Sequence, residues 1–508
     1  MFCLVLGMAQ RPRQVHQAER HVYVRAGQDL QTALRTARFG DTIVLEAGAT
    51  FVGPIVLPFK AGSGDFITIR TSDFNGISKE NERIKPSAHA RSMPKIVAPA
   101  GKSAIVTEPA AHHYKFVGIE FVTTNAGYVH NLIDLGSSDY KSLSQFPHHL
   151  IFDRCFVHST GLNRARRGFA LNSAETSILN SHVSGLAGAG DETQAIAGWN
   201  GPGPFHIVNN YLEGAGEVMM FGGADPSIPG LVPSDIEILR NYFRKPKEWL
   251  GRAAIKGTFE LKNARRVVVE GNWIESEILT TAIVLTVRNQ SGKAPWSTLE
   301  DVEIRNNVIR HADTGVNFLG SDSDHSSQIA KRIRIANNLF INIIVNDPRN
   351  IPYFLQTNGG EQVSVEHNTV QQSGNVITAY GSPTTNFIFR GNIVQFNQYG
   401  IVCTADGTEC GRQNMFCNCF PGGIIRGNVF ADNLGVATTE KLDEKYPMGN
   451  YFVASFQRIG FTDHAHGDWS LGLDSTTRNK RINGKSPGAD VGAIRAAGAF
   501  MARTGGSL

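Results

Sequence analysis

Between His113 and Ala431 the chain repeats one pattern: a short run in which apolar and polar residues alternate, a polar residue, an asparagine, and a second apolar run. Ile236-Glu237-Ile238 and Val302-Glu303-Ile304 show the alternation, whose period of two puts successive side chains on opposite faces of a strand. The marker position falls at Arg154, Ser181, Asn210, Asn241, Asn272, Asn307, Asn338, Asn368, Asn392 and Asn428, at intervals of 24 to 36 residues. An earlier copy, "HYKFVGIEFV", places Gly118 there. Helical repeats of similar length need a 3.6-residue period sustained over ten or more residues, which these segments lack. The pattern therefore predicts a β-solenoid whose coils stack at about 4.8 Å. An asparagine recurring at one corner can then hydrogen-bond along the stack as a ladder.

Ahead of the coils, Leu30, Ala33, Leu34 and Ala37 share one face of a helix predicted from Asp29 to Phe39, and the strand "TIVLEAG" follows. A solenoid needs its first coil covered against edge pairing, and this helix suits that task. The cap, "GDTIVLEAGATF" and the asparagine-marked coils together resemble the right-handed parallel β-helix proteins of the pectin-lyase-like superfamily, over roughly residues 20–495. The resemblance implies an all-β fold, a right-handed parallel β-helix (solenoid) with an N-terminal capping helix. It divides the chain into a signal-like or disordered segment at 1–20, the β-helix at 21–495 and a tail at 496–508. The stretch "DHAHGDWSLGLDSTTRNKRINGKSPGADVGAI" is similar to the closing segment of many such chains and is expected to pack on the last coils. Lyases, glycoside hydrolases, esterases, epimerases and adhesins share this scaffold, so the activity has to come from the site.

Each coil carries a second strand after the asparagine corner. Its polar end supplies a column: Asn172, Trp199 and Asn200, Asp225, Lys262 and Asn263, Arg288 and Asn289, Asp322 and Asp324, Asn358. A groove lined this way suits an extended glycan, with Asp and Asn meeting hydroxyls, Lys and Arg meeting carboxylates, and Trp stacking on sugar faces. Trp273, next to its asparagine corner, is expected in the core instead. The sharpest reading is β-elimination of a uronic-acid polymer, which needs a base, a cation against the substrate carboxylate, and a proton source at the leaving oxygen. "FELKN" and "LTVRN" supply Lys262 and Arg288 from consecutive coils. Their layout resembles that of chondroitinase-B-like and alginate-lyase-like β-helix lyases. That resemblance implies Lys262 as base, Arg288 on the acid side, and Glu260 as a calcium ligand helped by Asp225 or Glu217. The chain departs from the pattern at Thr258, where a second Glu is missing, and at Asn289, where a His is missing. Asn263, Asn289, Trp199, Asp322 and Asp324 are expected to bind substrate. A competing chemistry uses Asp322 and Asp324 as the paired carboxylates of a glycoside hydrolase, and a third reading is a glycan-binding solenoid without catalysis. Lys262 itself is open to a plainer reading as part of a solvated turn, as are Arg265 and Arg266.

Composition narrows the class. The 508 residues are 41% hydrophobic and carry a net charge of +4 from 49 basic and 45 acidic groups, too balanced to point to nucleic acid. No apolar run is long enough to span a membrane. "MFCLVLGMAQ" reads as a short secretion signal, which places the protein outside the cytoplasm, as a monomer acting on polysaccharide. Cys155 is expected as a buried free thiol. Cys403, Cys410, Cys417 and Cys419 crowd one segment and suit two local disulfides of open connectivity, with zinc as the alternative. The paired histidines His112-His113 and His148-His149 read as coil-entry turns without a metal.

Overall fold

The computed structural model describes residues 20–344, 352–397, 399–404, 416–432, 442 and 446–504. The signal-like segment and Cys410 lie outside the described residues.

Three long parallel sheets wind around one core. Among the described residues, sheet I has 14 strands, from His21–Val24 to Ile424–Arg426. Sheet II has 12, from Ile55–Leu57 to Ile401–Cys403. Sheet III has 14, from Thr50–Val52 to Tyr451–Val453. The chain visits one strand of each in turn, which makes it a right-handed parallel β-helix. The alternation read from the sequence sets the register. Ile236 pairs with Val267, Val267 with Val302, and Val302 with Ile333. All four are at most 1% exposed, so like side chains stack down the core. The helix Leu30–Thr36, capped by Asp29 accepting the Gln31 N–H, buries Leu30, Ala33 and Leu34 over the first coil.

The asparagine ladder is continuous. The main-chain N–H of Asn210 donates to Asn241 Oδ1 at 2.9 Å, that of Asn241 to Asn272 at 2.8 Å, and that of Asn272 to Asn307 at 2.9 Å. The sequence continues through Asn338, Asn368, Asn392 and Asn428. Asn450 adds a further rung, accepting from Asn428 N at 3.1 Å. The residue before each rung is left-handed: φ is 56° at Asn209, 54° at Arg240, 66° at Gly271 and 56° at Asn306. This corner geometry corrects the two earliest anchors. Arg154 (φ 51°) and Gly118 (φ 67°) are left-handed corner residues, not rungs. Cys155 takes the rung position, donating its N–H to Ser181 Oγ at 3.0 Å. Asn and Gly tolerate φ > 0 best, which is why the corners are rich in them.

A second left-handed column opens the strands of sheet I, with His113, His149, Glu175, Asp235, Arg266, Asp301 and Arg332 at φ between 44° and 61°. Arg265 and Arg266 therefore belong to the strand Ala264–Glu270 and not to a connecting turn. The exposed Arg266 donates to both carboxylate oxygens of Asp235, at 2.6 and 2.7 Å.

The closing segment does not stay on the last coils. It runs back along sheet III and ends in the helices Val491–Ala496 and Ala499–Thr504. There Val491, Ile494, Ala499 and Ala502 join Tyr242, Trp273, Val308 and Leu339 in a second apolar cluster. Phe500 stands 5.9 Å from the Trp273 ring, and Arg83 Nη1 donates to the Ala502 carbonyl at 2.6 Å. An apolar outer face on the middle coils attracts the tail there. Trp273 is buried as expected, but between sheet III and the tail instead of inside the coil. Cys403 and Cys419 form a disulfide and Cys155 is a buried free thiol, pushed up to about 12 by its burial. Among the described residues no helix is long and apolar enough to cross a membrane.

Candidate functional site

The outer face of sheet II carries a polar row across five coils. Asn131, Arg167, Gln194 and Glu217 stand in register near the starts of successive strands. Arg167 donates to Asn131 Oδ1 at 3.3 Å and to Gln194 Oε1 at 3.1 Å, and Gln194 Nε2 donates to Glu217 Oε2 at 2.7 Å. Glu217 Oε1 is buried without a hydrogen-bond partner. On the next coil Glu260 comes against Glu217, and Lys262 Nζ stands 3.5 Å from Glu260 Oε2. Period-two alternation along "FELKN" turns both side chains to this face. Trp199, half-buried, lies under the Arg167 guanidinium at 4.7 Å, roughly 10 Å along the axis from Lys262 at two coil spacings.

The electrostatics are those of charges withdrawn from water. Burial raises the Glu260 carboxyl to about 7; Lys262 opposes the shift and Glu217 adds to it. Lys245, fully buried behind the row, is pushed down to about 7 by desolvation while Glu217 and Glu260 pull it up. Its ammonium donates to the carbonyls of Ala215 and Gly216. Because folded Glu260 holds its proton more tightly than the unfolded chain does, its stabilising contribution is complete below about pH 4.5. That contribution is lost as pH rises through about 7. Glu260→Gln is therefore expected to flatten the fall in melting temperature over that interval, and an unchanged slope would contradict the assigned burial.

Lys262 and Arg288 meet through their main chains, with Arg288 N–H donating to the Lys262 carbonyl at 3.0 Å. The register differs from the expected one. Matching "FELKN" to "LTVRN" end to end would put Leu261 level with Val287, whereas Leu261 pairs with Leu285, and the two side chains pair separately, Lys262 with Glu260 and Arg288 with Asp322. Arg288 Nη1 reaches Asp322 Oδ1 at 3.0 Å and Ser323 Oγ at 3.1 Å, with Asp324 at 4.0 Å. Burial alone would raise the Asp322 carboxyl. The N–H groups of Asp324 and Asn289 and the Arg288 guanidinium outweigh it and hold Asp322 below its usual range. Asp324 is 75% exposed at its side chain.

The strand-end asparagines work as staples. Asn263 Oδ1 accepts from Thr298 N at 3.1 Å, and Asn289 Oδ1 from Ala294 N at 2.7 Å. Each is 1% exposed, which leaves neither a surface for substrate, against the expectation for both. Asp225 pins the same loop, accepting from Ser291 N at 2.9 Å and Lys293 N at 3.0 Å, so the carboxylate beside Glu260 is Glu217 and not Asp225. Sequence reasoning passed over Gln194 and Lys245. The signal available for Gln194 and Glu217 was a polar residue at the start of otherwise apolar runs, "QAIAG" and "EVMMF". A large cavity under the carboxyl-terminal segment, lined by Arg305, Asn337, His367 and Asp490, lies elsewhere. Arg305 there is already paired with Glu270 and Glu303.

No protein-family model matches the chain, and no curated protein matches it. Solved structures do. A PL6 family alginate lyase, AlyGC, superposes with a TM-score of 0.51 at 12% identity over 92% of this chain, which spans 59% of that lyase's length. The catalytic unit of a GH87 alpha-1,3-glucanase from Streptomyces thermodiastaticus aligns at 0.46 and 11% identity, covering 92% of this chain and 70% of the glucanase. A mannuronic acid specific family 6 lyase from human gut microbiota aligns at 0.42 and 12% identity, covering 86% of this chain and 91% of the lyase. The protein is thus a right-handed parallel β-helix, of the fold that the alginate lyase AlyGC also has.

Proposed function

We propose that the protein is an exported polysaccharide-active β-helix that cleaves a uronic-acid glycan by β-elimination on the outer face of sheet II. The observation that carries this is the part-buried Lys262, its side chain 14% exposed, beside the Glu260–Glu217 carboxylates at the head of a hydrogen-bonded polar row. The fold shared with an alginate lyase supports the substrate class, and the Cys403–Cys419 disulfide supports export. Lys262 takes the proton α to the uronate carboxylate onto its amine nitrogen. The electron pair forms the C4–C5 double bond, the C4–O bond breaks, and the leaving oxygen collects a proton from water, with the Arg288 guanidinium supporting its charge. Trp199, with Arg167 over one face of its ring, offers a sugar platform two coils away.

Calcium suits the donor set in part. Glu217 Oε1 is buried and unpartnered, and Glu260 stands beside it. These two carboxylates would hold the ion, with water completing a shell of six to eight oxygens. Bound there, calcium would neutralise the substrate carboxylate. Chelation with EDTA is expected to lower turnover, with recovery on adding calcium; turnover indifferent to both would remove the ion from the proposal. Asp322 serves the hydrolase reading poorly. A general acid needs a raised pKa, whereas Asp322 is held ionised by Arg288 and two N–H groups.

A further inference from the structure

Four histidines meet at the start of sheet I, away from the sheet II face. His112 and His113 open the strand His112–Val117, and His148 and His149 open His148–Asp153 one coil later, with His148 in register with His112. The second residue of each pair is left-handed, at φ 61° and 54°. This turns the neighbouring rings together: Nδ1 of His112 lies 2.7 Å from Nδ1 of His113, and Nδ1 of His148 lies 2.6 Å from Nδ1 of His149. Between coils the rings stack, His112 on His148 at 4.8 Å and His113 on His149 at 4.3 Å.

Two of the outer nitrogens are tied down. His112 Nε2 sits 3.0 Å from the Lys60 carbonyl, and His149 Nε2 lies 2.8 Å from Glu175 Oε2. An imidazole whose far nitrogen is fixed by a carbonyl or carboxylate has its near nitrogen oriented, which is how metal-binding histidines are held. One ring nitrogen from each of His113, His148 and His149 lies within 4.8 Å of the others. Phe39 stacks on His112 at 5.3 Å and Phe66 stands 5.4 Å from His113, so the cluster has an apolar wall. Neutral imidazole is the form that ligates.

We infer that this cluster binds one divalent transition-metal ion of the zinc class, ligated by His113, His148 and His149. Imidazole suits zinc, copper and nickel, and a three-nitrogen set from two rigid strands, completed by water, suits zinc's four-coordination. The ion would clasp two adjacent coils near the capped end, a role separate from glycan cleavage.

The test uses untagged full-length protein, stripped with chelator and titrated with Zn²⁺ by calorimetry. One ion per chain is expected, with affinity at least about tenfold weaker in His113→Ala and His149→Ala. His466→Ala, which removes an exposed histidine paired with Asp463, is expected to change nothing. Absent saturable binding, or binding indifferent to His113 and His149, would overturn the inference. Circular dichroism checks each variant's fold. Where a variant fails that check, Co²⁺ added to the unaltered protein decides: a four-coordinate visible spectrum supports the site, and a spectrum like that of the hydrated ion overturns it.

Discussion

Lys262→Ala is expected to lower turnover of a uronic-acid polymer by about 10²–10⁴-fold, the span that one positioned proton-transfer group supplies. The fold is expected to survive. The main chain at this position keeps its bonds, Lys262 N–H to the Phe221 carbonyl at 2.7 Å and Arg288 N–H to the Lys262 carbonyl. Losing the ammonium also removes what pulls the Glu260 carboxyl down, so Glu260 moves further up. Circular dichroism and melting temperature should stay near the unaltered protein while the rate collapses. A variant that folds and turns over at a comparable rate would end Lys262's role as base. Arg288→Ala is the weaker companion, because Arg288 also holds Asp322 and its loss mixes a catalytic effect with loosening of that loop.

The second large effect is structural. Asn272 is fully buried and sits mid-ladder. Its Oδ1 accepts from Asn241 N and Nδ2 at 2.8 and 3.1 Å, and its Nδ2 donates to Ile238 O at 2.8 Å and Asn307 Oδ1 at 3.0 Å. Asn272→Ala strands these groups in a dry corner. At about 1–3 kcal/mol per unsatisfied buried group, with partial relaxation, the loss should be about 3–5 kcal/mol. Asn272→Asp keeps the shape but turns a carboxylate toward three oxygens, of Ile238, Glu270 and Asn307, so it is expected to cost at least as much at neutral pH. Because coils are coupled to their neighbours, the melting transition should broaden as well as fall. A loss below about 1 kcal/mol would mean that the ladder is not what fixes the corners.

The sequence exposes the repeat because burial on one strand face enforces a period of two and the corner enforces asparagine. Both constraints are local, so the coils, the cap and nearly every rung are readable. What escaped depends on side chains converging from different coils. Matching the polar ends "KN" and "RN" misses the register by two residues, because Leu261 pairs with Leu285 and not with Val287. Asn263 and Asn289 looked available because polar strand ends usually are, yet the loops beyond them fold back and use them as staples. Lys245 ends an ordinary-looking strand, "YFRK", and only the stacked structure places its ammonium behind two glutamates. Glu217 and Gln194 belong with Glu260 only once three coils are superposed. That the closing segment runs on past the last coils was hidden for a similar reason, since the apolar outer face of Tyr242, Trp273 and Val308 is assembled from three separate coils.

Whether the bond is broken by elimination is read from the composition of the product. Incubation with polymannuronate, polyguluronate, pectate and chondroitin-type chains, followed by mass spectrometry and ultraviolet absorbance, separates the chemistries. Fragments one water lighter than hydrolysis products, carrying the absorbance of an unsaturated uronate, are expected from at least one of these polymers. Fragments of full hydrolytic mass with new reducing ends and no such absorbance would contradict elimination.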